Sequence, residues 1–233
     1  MMKVLELFAG TRSIGKAFEA HGHEVFSVEW DNQFTDIDLY KNILDISADE
    51  IIEKFGKPDV IWASPDCTTF SIAAISHHRK INEETGNLDP ISDYAKFCDE
   101  VDQHVLRLID TLAPKFFFIE NPRGGMRKMT WMSKYPRYTI TYCQYGDTRM
   151  KPTDIWTNHP NPQFKPPCHN GDTCHIAAPR GSRTGTQGLK DSKERSIIPS
   201  QLCEHIVSIC ENPPEPDGFM SYGSKVLKPK NLF

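Results

Sequence analysis

One cysteine of the chain stands where a nucleophile can be presented, in a turn that directly follows a strand-like run. The stretch from Trp62 to Ser71 reads WASPDCTTFS, and residues 58–63 have the apolar character of a buried strand. Cys67 is therefore expected in a loop at a strand end, where a thiolate can reach a substrate. The alternative interpretation is an ordinary buried thiol in a loop.

The N-terminal residues have the pattern of a nucleoside site. A strand at residues 4–8 is followed by a turn at residues 9–13, a helix at residues 14–20, and a second strand that ends near Glu29. In such a unit the turn amides approach the ligand and the acid binds ribose hydroxyls. The turn lacks the G-x-G-x-x-G spacing, and Gly15 falls inside the helix, so a dinucleotide fits poorly.

A ligand with one nucleoside, such as S-adenosylmethionine, fits this pattern better. Glu29 would bind the ribose, Trp30 would stack on adenine, and Asp45 would accept a hydrogen bond from the exocyclic amine. The alternative is that Glu29 and Asp45 are polar strand ends with no ligand.

The elements that must position these residues alternate between strand and helix. The predicted strands are residues 4–8, 24–30, 59–63, 115–120 and 138–144. The predicted helices are residues 14–20, 48–55 and 93–112. This alternation predicts an α/β fold with a doubly wound, mostly parallel sheet and functional loops at the carboxyl ends of its strands.

The chain changes character after Trp156. Residues 158–194 are rich in Pro, Gly, Cys, His and small polar residues, which predicts a small irregular inserted module without a core of its own. Helical spacing returns at residues 195–210, and this helix is expected to complete the main domain of residues 1–157. Residues 211–233, with several prolines, are expected to form an extended arm.

Composition sets further bounds on function. The chain has 233 residues, 38% of them hydrophobic and 25% charged, which predicts a globular protein. A net charge of -4 gives no general attraction to nucleic acid, so such a partner requires a local basic patch. Neither a signal peptide nor a membrane span is evident, and seven single cysteines suit a reducing compartment, so we expect a cytoplasmic protein that does not bind membranes.

Taken in order, these motifs resemble those of the DNA (cytosine-5)-methyltransferases of bacteria and phages, over about residues 3 to 156. Leu7-Phe8-Ala9-Gly10 resembles the cofactor loop of that family, Ser64 to Ser71 its catalytic loop, and Glu120-Asn121-Pro122 its Glu-Asn-Val element. The resemblance implies a Rossmann-like methyltransferase fold that binds S-adenosylmethionine. The implied cofactor residues are Phe8, Ala9, Gly10, Thr11, Ser13, Ile14, Glu29, Trp30, Asp45, Ile46, Ser64 and Pro65.

The resemblance also implies a reaction. Cys67 would add to C6 of a cytosine that has flipped out of double-stranded DNA, while Glu120 contacts N3 and the exocyclic amine. Carbon 5 then takes the methyl group, and elimination frees the cysteine. Arg149 and Lys151 are the best candidates to contact the base O2 and a phosphate. The enzyme is expected to act as a monomer.

The chain departs from the family pattern at three places. Asp66 separates Pro65 from Cys67, and an acid there should raise the pKa of the thiol. Pro122 replaces the usual valine and should stiffen the loop after Glu120. The family's Gln-x-Arg-x-Arg element is not cleanly present.

Two segments are candidates for contacts with nucleic acid. The basic run His77, His78, Arg79 and Lys80 follows a loop from Ser71 onward that would close on the flipped nucleotide. The alternative is a solvated basic loop. Arg180 and Arg183 stand in a flexible, cationic stretch of the small module, which resembles a short target recognition domain. A module of this size predicts a short or relaxed recognition sequence, or help from a partner.

The same module contains two cysteines and two histidines within residues 168–175. Cys168, Cys174 and His175 can ligate a structural zinc ion, although the spacing is not that of a standard zinc knuckle. A loop held by hydrogen bonds is the alternative.

Two other functions remain open at this point. One is an enzyme of the same fold that methylates RNA or an already modified phage pyrimidine. The other is a catalytically silent relative that binds DNA or the cofactor.

Overall fold

The computed structural model describes residues 1–177 and 191–213. Arg180 and Arg183, together with residues 214–233 of the predicted arm, lie outside the described residues. Within the described ranges, no helix combines the length and the apolar composition that a membrane crossing requires.

Nine strands and six helices make up the described part of the chain. The strands are β1 (Lys3–Leu7), β2 (Glu24–Glu29), β3 (Leu39–Tyr40), β4 (Val60–Ala63), β5 (Arg79–Ile81), β6 (Leu88–Pro90), β7 (Phe116–Pro122), β8 (Arg137–Thr141) and β9 (Pro152–Thr157). The helices are α1 (Ser13–Ala20), α2 (Ala48–Lys54), α3 (Ile75–His78), α4 (Asp93–Leu112), α5 (Ser192–Ser196) and α6 (Ser200–Glu211).

Seven of the strands form one sheet in the order β3-β2-β1-β4-β7-β9-β8. The first five strands of this order pair in parallel, whereas β9 runs antiparallel to both β7 and β8. The chain builds outward from β1 to β2 and β3, then returns and builds the other way from β4. A topological switch point therefore lies between β1 and β4, and the predicted doubly wound, mostly parallel sheet is confirmed.

The two faces of the sheet carry two separate apolar cores. Along β4, Val60 and Trp62 belong to one core, while Ile61 and Ala63 belong to the other, as the two-residue period of a strand requires. Helices α1 and α6 cover the first core, and α2 and α4 cover the second. Because both faces are covered, the central strand β4 is apolar throughout its length.

Gly15 lies in the first turn of α1, where glycine would ordinarily weaken a helix. A Cβ atom at this position would stand 2.4 Å from Oε2 of Glu6, a buried acid on β1. The glycine therefore allows α1 to lie close to β1 at the switch point.

The structure differs from the predicted elements at β8, β9, the β5–β6 hairpin and the predicted helix at residues 195–210. Residues 197–199 divide that segment between α5 and α6. The predicted strand at residues 138–144 ends at Thr141, because the chain turns into a 3-10 turn at Tyr142–Tyr145. Strand β9 was not predicted, since it contains Asp154, a polar residue that is fully buried. Two hydrogen bonds from the Arg127 guanidinium and one from the Thr139 hydroxyl satisfy the Asp154 carboxylate.

Arg79, at the start of the β5–β6 hairpin, is buried and does not face solvent. Its guanidinium donates to the Asp99 carboxylate on α4 at 2.6 Å and to the Thr69 carbonyl at 3.1 Å, and it lies over the Phe70 ring. The prediction that Arg79 contacts a phosphate is therefore wrong. Arg79 instead ties the loop after Cys67 to α4.

We predict that Arg79→Ala lowers the free energy of unfolding by about 3–5 kcal/mol, because it leaves the Asp99 carboxylate buried without its partner. The adjacent Lys80 is exposed and provides a matched control. Lys80→Ala should change the stability by no more than about 0.5 kcal/mol. Urea unfolding curves of both variants test this, and equal effects would contradict a structural role for Arg79.

Candidate active site

A cleft of about 370 Å³ lies at the carboxyl ends of β1, β2, β4 and β7, beside the switch point. The predicted site residues that line it are Phe8, Ala9, Gly10, Thr11, Ser13, Glu29, Trp30, Ser64, Pro65, Cys67, Glu120 and Lys151. Residues from the candidate nucleophile loop, the candidate acid and the candidate cofactor turn thus meet in one cleft of a size typical for small-molecule sites.

Glu29 is held by the backbone around it. Its carboxylate accepts hydrogen bonds from the amides of Gly10 at 3.0 Å, Trp30 at 2.9 Å and Asp31 at 3.1 Å. A carboxylate has about four acceptor positions, so roughly one remains for a ribose hydroxyl. The buried carboxylate is fixed at the cleft wall before any ligand arrives.

The turn after β1 has an unusual backbone. Phe8, Gly10 and Arg12 all have positive φ angles, of 56°, 50° and 56°. Such conformations cost energy for residues other than glycine, and they concentrate at functional sites. The turn brings the amide of Gly10 and the hydroxyls of Thr11 and Ser13, which lie 2.9 Å apart, to the cleft.

A second cavity of about 150 Å³ adjoins the cleft and shares Phe8, Glu29, Trp30 and Asp66 with it. Its other walls are mostly apolar and come from β2, from the segment before α2 and from α4, of which only α4 was not predicted to contribute: Val28, Lys41, Asn42, Ile43, Tyr94, Phe97, Cys98, Val101 and Asp102. An apolar slot next to the Glu29 carboxylate has the chemistry to take a flat aromatic base.

Three predicted cofactor residues lie elsewhere. Asp45 is exposed at the end of a 3-10 turn and lines neither cavity, whereas Asn42 and Ile43 do line the second one. Ile46 is buried in the core beneath α4, and Ile14 is buried between α1 and the sheet. The side chains of these three residues are directed to solvent or to the core, so their contacts with the cofactor stay a prediction.

The loop that carries Cys67 is fixed on both sides of the cysteine. Before it, the Asn121 amide on β7 donates to the Pro65 carbonyl at 3.0 Å. After it, the Thr68 amide donates to the Asp66 carboxylate at 2.5 Å, which starts a 3-10 turn. Cys67 itself has φ -95° and ψ -4°, a region that active-site residues often occupy. Asp66, the residue that departs from the family pattern, thus anchors the turn.

The same environment disfavours the Cys67 thiolate. Burial raises the pKa of the Cys67 thiol to about 11, and the negative charges of Asp66 and Glu120 add to this effect, while Lys151 opposes it. The thiol therefore stays protonated at neutral pH in the protein without ligands, and thiolate forms as the pH rises toward 11.

Glu120 lies at the end of β7 and is buried. The hydroxyl of Tyr142 donates to its carboxylate at 3.1 Å. Burial and the nearby Glu120 raise the pKa of Tyr142 well above its usual value, so this hydroxyl remains a donor. Tyr142 was not predicted as a site residue, because nothing in the sequence indicates that the turn after β8 reaches Glu120.

The two cations predicted after β8 have different positions. The Lys151 ammonium lines the cleft, lies 4.4 Å from the centre of the Tyr142 ring, and donates to the Arg195 carbonyl at 3.0 Å. The guanidinium of Arg149 is buried in a bidentate pair with Asp147 and lines neither cavity. Because its Nη1 atom also donates to the Glu194 carbonyl at 3.3 Å, the Arg149 guanidinium is held away from the cleft, and its contact with a base or phosphate stays a prediction.

The other residues predicted to meet nucleic acid surround the loop after Cys67. His77 and Lys80 are exposed, and Ser71 is half-buried. Nδ1 of His78 lies 2.8 Å from the Ser92 hydroxyl that caps α4. With Arg79 buried, the positive charge available on this surface is smaller than the sequence indicated.

A separate cluster joins the end of β8 to the segment of residues 158–177. The Sγ atoms of Cys143, Cys168 and Cys174 and a ring nitrogen of His175 all lie within 4.8 Å of one another, an arrangement that can hold a metal ion. The predicted ligands Cys168, Cys174 and His175 thus come together. Cys143 was missed, because it is 25 residues from Cys168 in the sequence and follows a strand.

Two solved structures resemble this chain in fold. An E. coli protein assigned as a DNA modification methyltransferase encoded within a prophage matches with a TM-score of 0.50 and 16% identity, over 67% of this chain and 46% of that chain. A DNMT2 from Spodoptera frugiperda matches with a TM-score of 0.46 and 17% identity, over 67% and 49%. The matched part therefore spans about half the length of these proteins. The first similarity shows a shared α/β fold with a Rossmann-like sheet.

Sequence comparison defines the family. The model of the C-5 cytosine-specific DNA methylases matches residues 2–130. A curated protein named "Probable DNA (cytosine-5)-methyltransferase", from Frog virus 3 (isolate Goorha), is 30% identical over 228 residues, which cover 90% of this chain and 100% of that protein. The chain belongs to the family of C-5 cytosine-specific DNA methylases.

We predict that Asp66→Asn lowers the pKa of Cys67, because it removes a negative charge beside the thiol and keeps the oxygen that accepts from the Thr68 amide. The rate of alkylation of Cys67 by iodoacetamide at pH 8 should then rise severalfold. Peptide mass spectrometry separates Cys67 from the other six cysteines.

Asp31→Asn is the matched control for this prediction, since Asp31 lines the same cleft but is not among the causes of the Cys67 pKa. It should leave the alkylation rate unchanged. A rate that stays the same in Asp66→Asn would show that Asp66 does not influence the thiol.

Proposed function

We propose that this protein transfers a methyl group from S-adenosylmethionine to carbon 5 of a cytosine in DNA, with Cys67 as the nucleophile. One observation carries the proposal: Cys67 and Glu120 line the same cleft as Glu29 and the turn after β1. A nucleophile and an acid for the base thus lie beside a nucleoside site, as the family reaction requires. The name of the viral relative and the family match support the same activity.

The cleft and the adjoining cavity fit S-adenosylmethionine. Phe8 and Trp30 border both, so they can flank an adenine in the smaller cavity, and Glu29 retains an acceptor position for a ribose hydroxyl. Thr11 and Ser13, which line the cleft, would provide hydroxyls for the polar methionine part of the ligand. When bound, S-adenosylmethionine supplies an electrophilic methyl group on a sulfonium centre.

Cys67 and Glu120 have separate roles in the reaction of the base. The Cys67 thiolate forms a bond to C6 of cytosine, and the electron pair of the C5–C6 double bond becomes available at C5, while Glu120 donates a hydrogen bond or proton at N3. Transfer of the methyl group to C5 would break its bond to the cofactor sulfur and leave S-adenosylhomocysteine, and a base would then remove the C5 proton. The electron pair of that C–H bond restores the double bond and expels the Cys67 thiolate.

Lys151 stabilises the negative charges that form during these reaction steps. Burial lowers the pKa of Lys151, but the nearby Glu120 and Cys67 oppose that effect and favour its charged form. A Lys151 cation facing Cys67 lowers the cost of forming the thiolate. The positive sulfonium of the cofactor acts in the same direction, so we expect the thiolate to form mainly when the cofactor is bound.

The DNA substrate must place one base in the cleft, and a duplex cannot do so without flipping that base out. The exposed His77 and Lys80, on the loop and hairpin after Cys67, are available to meet phosphates of double-stranded DNA. We further propose that the protein acts as a monomer in the cytoplasm. None of its seven cysteines forms a disulfide, which fits a reducing compartment.

Cys67→Ala should reduce methyl transfer from labelled S-adenosylmethionine to DNA by about 10³-fold or more, because the addition to C6 is lost. Binding of S-adenosylmethionine should persist. Duplex DNA that contains 5-fluorocytosine should trap a covalent adduct with the unaltered protein and none with the variant.

Cys210→Ala is the control for this experiment, since Cys210 is buried in α6 and lines neither cavity. It should retain both activity and adduct. An active Cys67→Ala variant would contradict the assignment, and activity on RNA but not on DNA would identify a different substrate.

Tyr142→Phe should lower the rate constant for methyl transfer by about 10- to 100-fold, because Glu120 loses a hydrogen bond of the kind worth 1.5–3 kcal/mol. The affinity for S-adenosylmethionine should be unchanged. Single-turnover kinetics at saturating cofactor measure this, and Tyr138→Phe, on the preceding strand, serves as a control. A normal rate in Tyr142→Phe would show that this hydroxyl does not position Glu120.

A further inference from the structure

We propose that Cys143, Cys168, Cys174 and His175 bind one structural Zn²⁺ ion, which fastens the segment of residues 158–177 to the end of β8. Three thiolates and one imidazole are a donor set that zinc commonly takes in closed, four-coordinate sites. The proposal is independent of the methyl-transfer reaction, because the cluster does not line the cleft.

The distances between the donor atoms match a tetrahedral zinc site. With Zn–S bonds near 2.3 Å and Zn–N bonds near 2.0–2.1 Å, the edges of such a tetrahedron are roughly 3.8 Å for S···S and 3.5 Å for S···N. The Sγ atoms of Cys143 and Cys174 lie 3.7 Å apart. Nδ1 of His175 lies 3.6 Å from Sγ of Cys174 and 3.7 Å from Sγ of Cys168.

One pair of donors is closer than this geometry requires. Sγ of Cys143 and Sγ of Cys168 are 3.0 Å apart, which is longer than a disulfide bond of about 2.05 Å and shorter than a tetrahedral edge. A movement of less than about 1 Å would complete the tetrahedron. The pair therefore needs only a small adjustment to accept an ion, whereas a disulfide would leave Cys174 and His175 without a function in the cluster.

The place of the cluster in the fold explains why a metal would be needed. Residues 158–177, the described part of the chain that carries three of the four ligands, contain no helix and no strand. Segments too small for a core are commonly held by a metal or disulfides. The Cys168 amide already donates to the Thr141 hydroxyl at 3.0 Å, so the segment meets β8 beside the cluster. Four ligands from the protein leave no open position, which indicates a structural rather than a catalytic ion.

The segment contains a second histidine that provides an internal comparison. His169 is next to Cys168 in sequence, but its side chain is 87% exposed and its Nδ1 lies 4.0 Å from the Asp172 carboxylate. It is not part of the cluster. We therefore expect His175 to bind the ion and His169 not to bind it.

The test begins with the full chain purified without chelator, and zinc is measured by mass spectrometry of the metal. We expect about one zinc per chain in the unaltered protein and in His169→Ala, and close to none in His175→Ala and Cys143→Ser. His175→Cys, which offers four thiolates, should retain the ion. Because that variant restores binding at the same position, metal loss in His175→Ala cannot be attributed to misfolding alone.

Cobalt provides a second readout. Co²⁺ added to the zinc-free protein should produce the intense visible bands of a tetrahedral thiolate site, and His175→Ala should abolish them. Zinc removal should lower the melting temperature of the unaltered protein and leave that of His175→Ala unchanged.

Three results would overturn the proposal. They are a purified protein that neither contains nor takes up zinc, a His175→Ala variant that keeps the full metal content, and a Cys143–Cys168 disulfide found in the protein under non-reducing conditions. A protein that binds zinc but lacks methyltransferase activity would leave this proposal intact and contradict only the proposed function.

Discussion

The parallel pairing of β1, β4 and β7 is the constraint on which the site depends. Parallel neighbours end at the same edge of a sheet, so the residues that follow each strand must meet there. The turn with Gly10 follows β1, Cys67 follows β4, and Glu120 is near the end of β7. The hydrogen bond from Asn121 to the Pro65 carbonyl continues this pairing beyond the strands and fixes the distance between the nucleophile loop and the acid.

The charges in the cleft explain why Cys67 would become reactive only when the cofactor is bound. Burial together with Asp66 and Glu120 holds the pKa of Cys67 near 11, and the one nearby cation that opposes this, Lys151, is itself destabilised by burial. Such a balance protects the thiol from oxidation and alkylation, because the thiolate is the reactive form. A positively charged cofactor would reverse the balance at the moment that the nucleophile is needed.

The sequence was sufficient to predict the sheet and the site residues that follow strand ends. It was insufficient to predict contacts between side chains that are distant in the sequence. Helix α4 has the predicted bounds, because Ser92 caps it and its apolar positions have helical spacing. Cys67, Glu120 and Glu29 meet as predicted, since strand order alone brings them together. Arg79 and Arg149 were assigned to nucleic acid because a cationic side chain carries no sign of its partner in the sequence, and their partners Asp99 and Asp147 are seen only in the fold.

Three consecutive residues at the end of β8 connect the site with the irregular segment. The Thr141 hydroxyl accepts from the Cys168 amide, the Tyr142 hydroxyl donates to Glu120, and Cys143 belongs to the Cys/His cluster. The side chains of neighbouring residues point in different directions, so one short turn contacts both the acid in the cleft and the module. A shift of the module on binding DNA would therefore move Tyr142, and with it the hydrogen bond that orients Glu120. A rigid attachment at this point would prevent such a shift from reaching Tyr142, while the parts of the module farther from β8 adapt to the DNA.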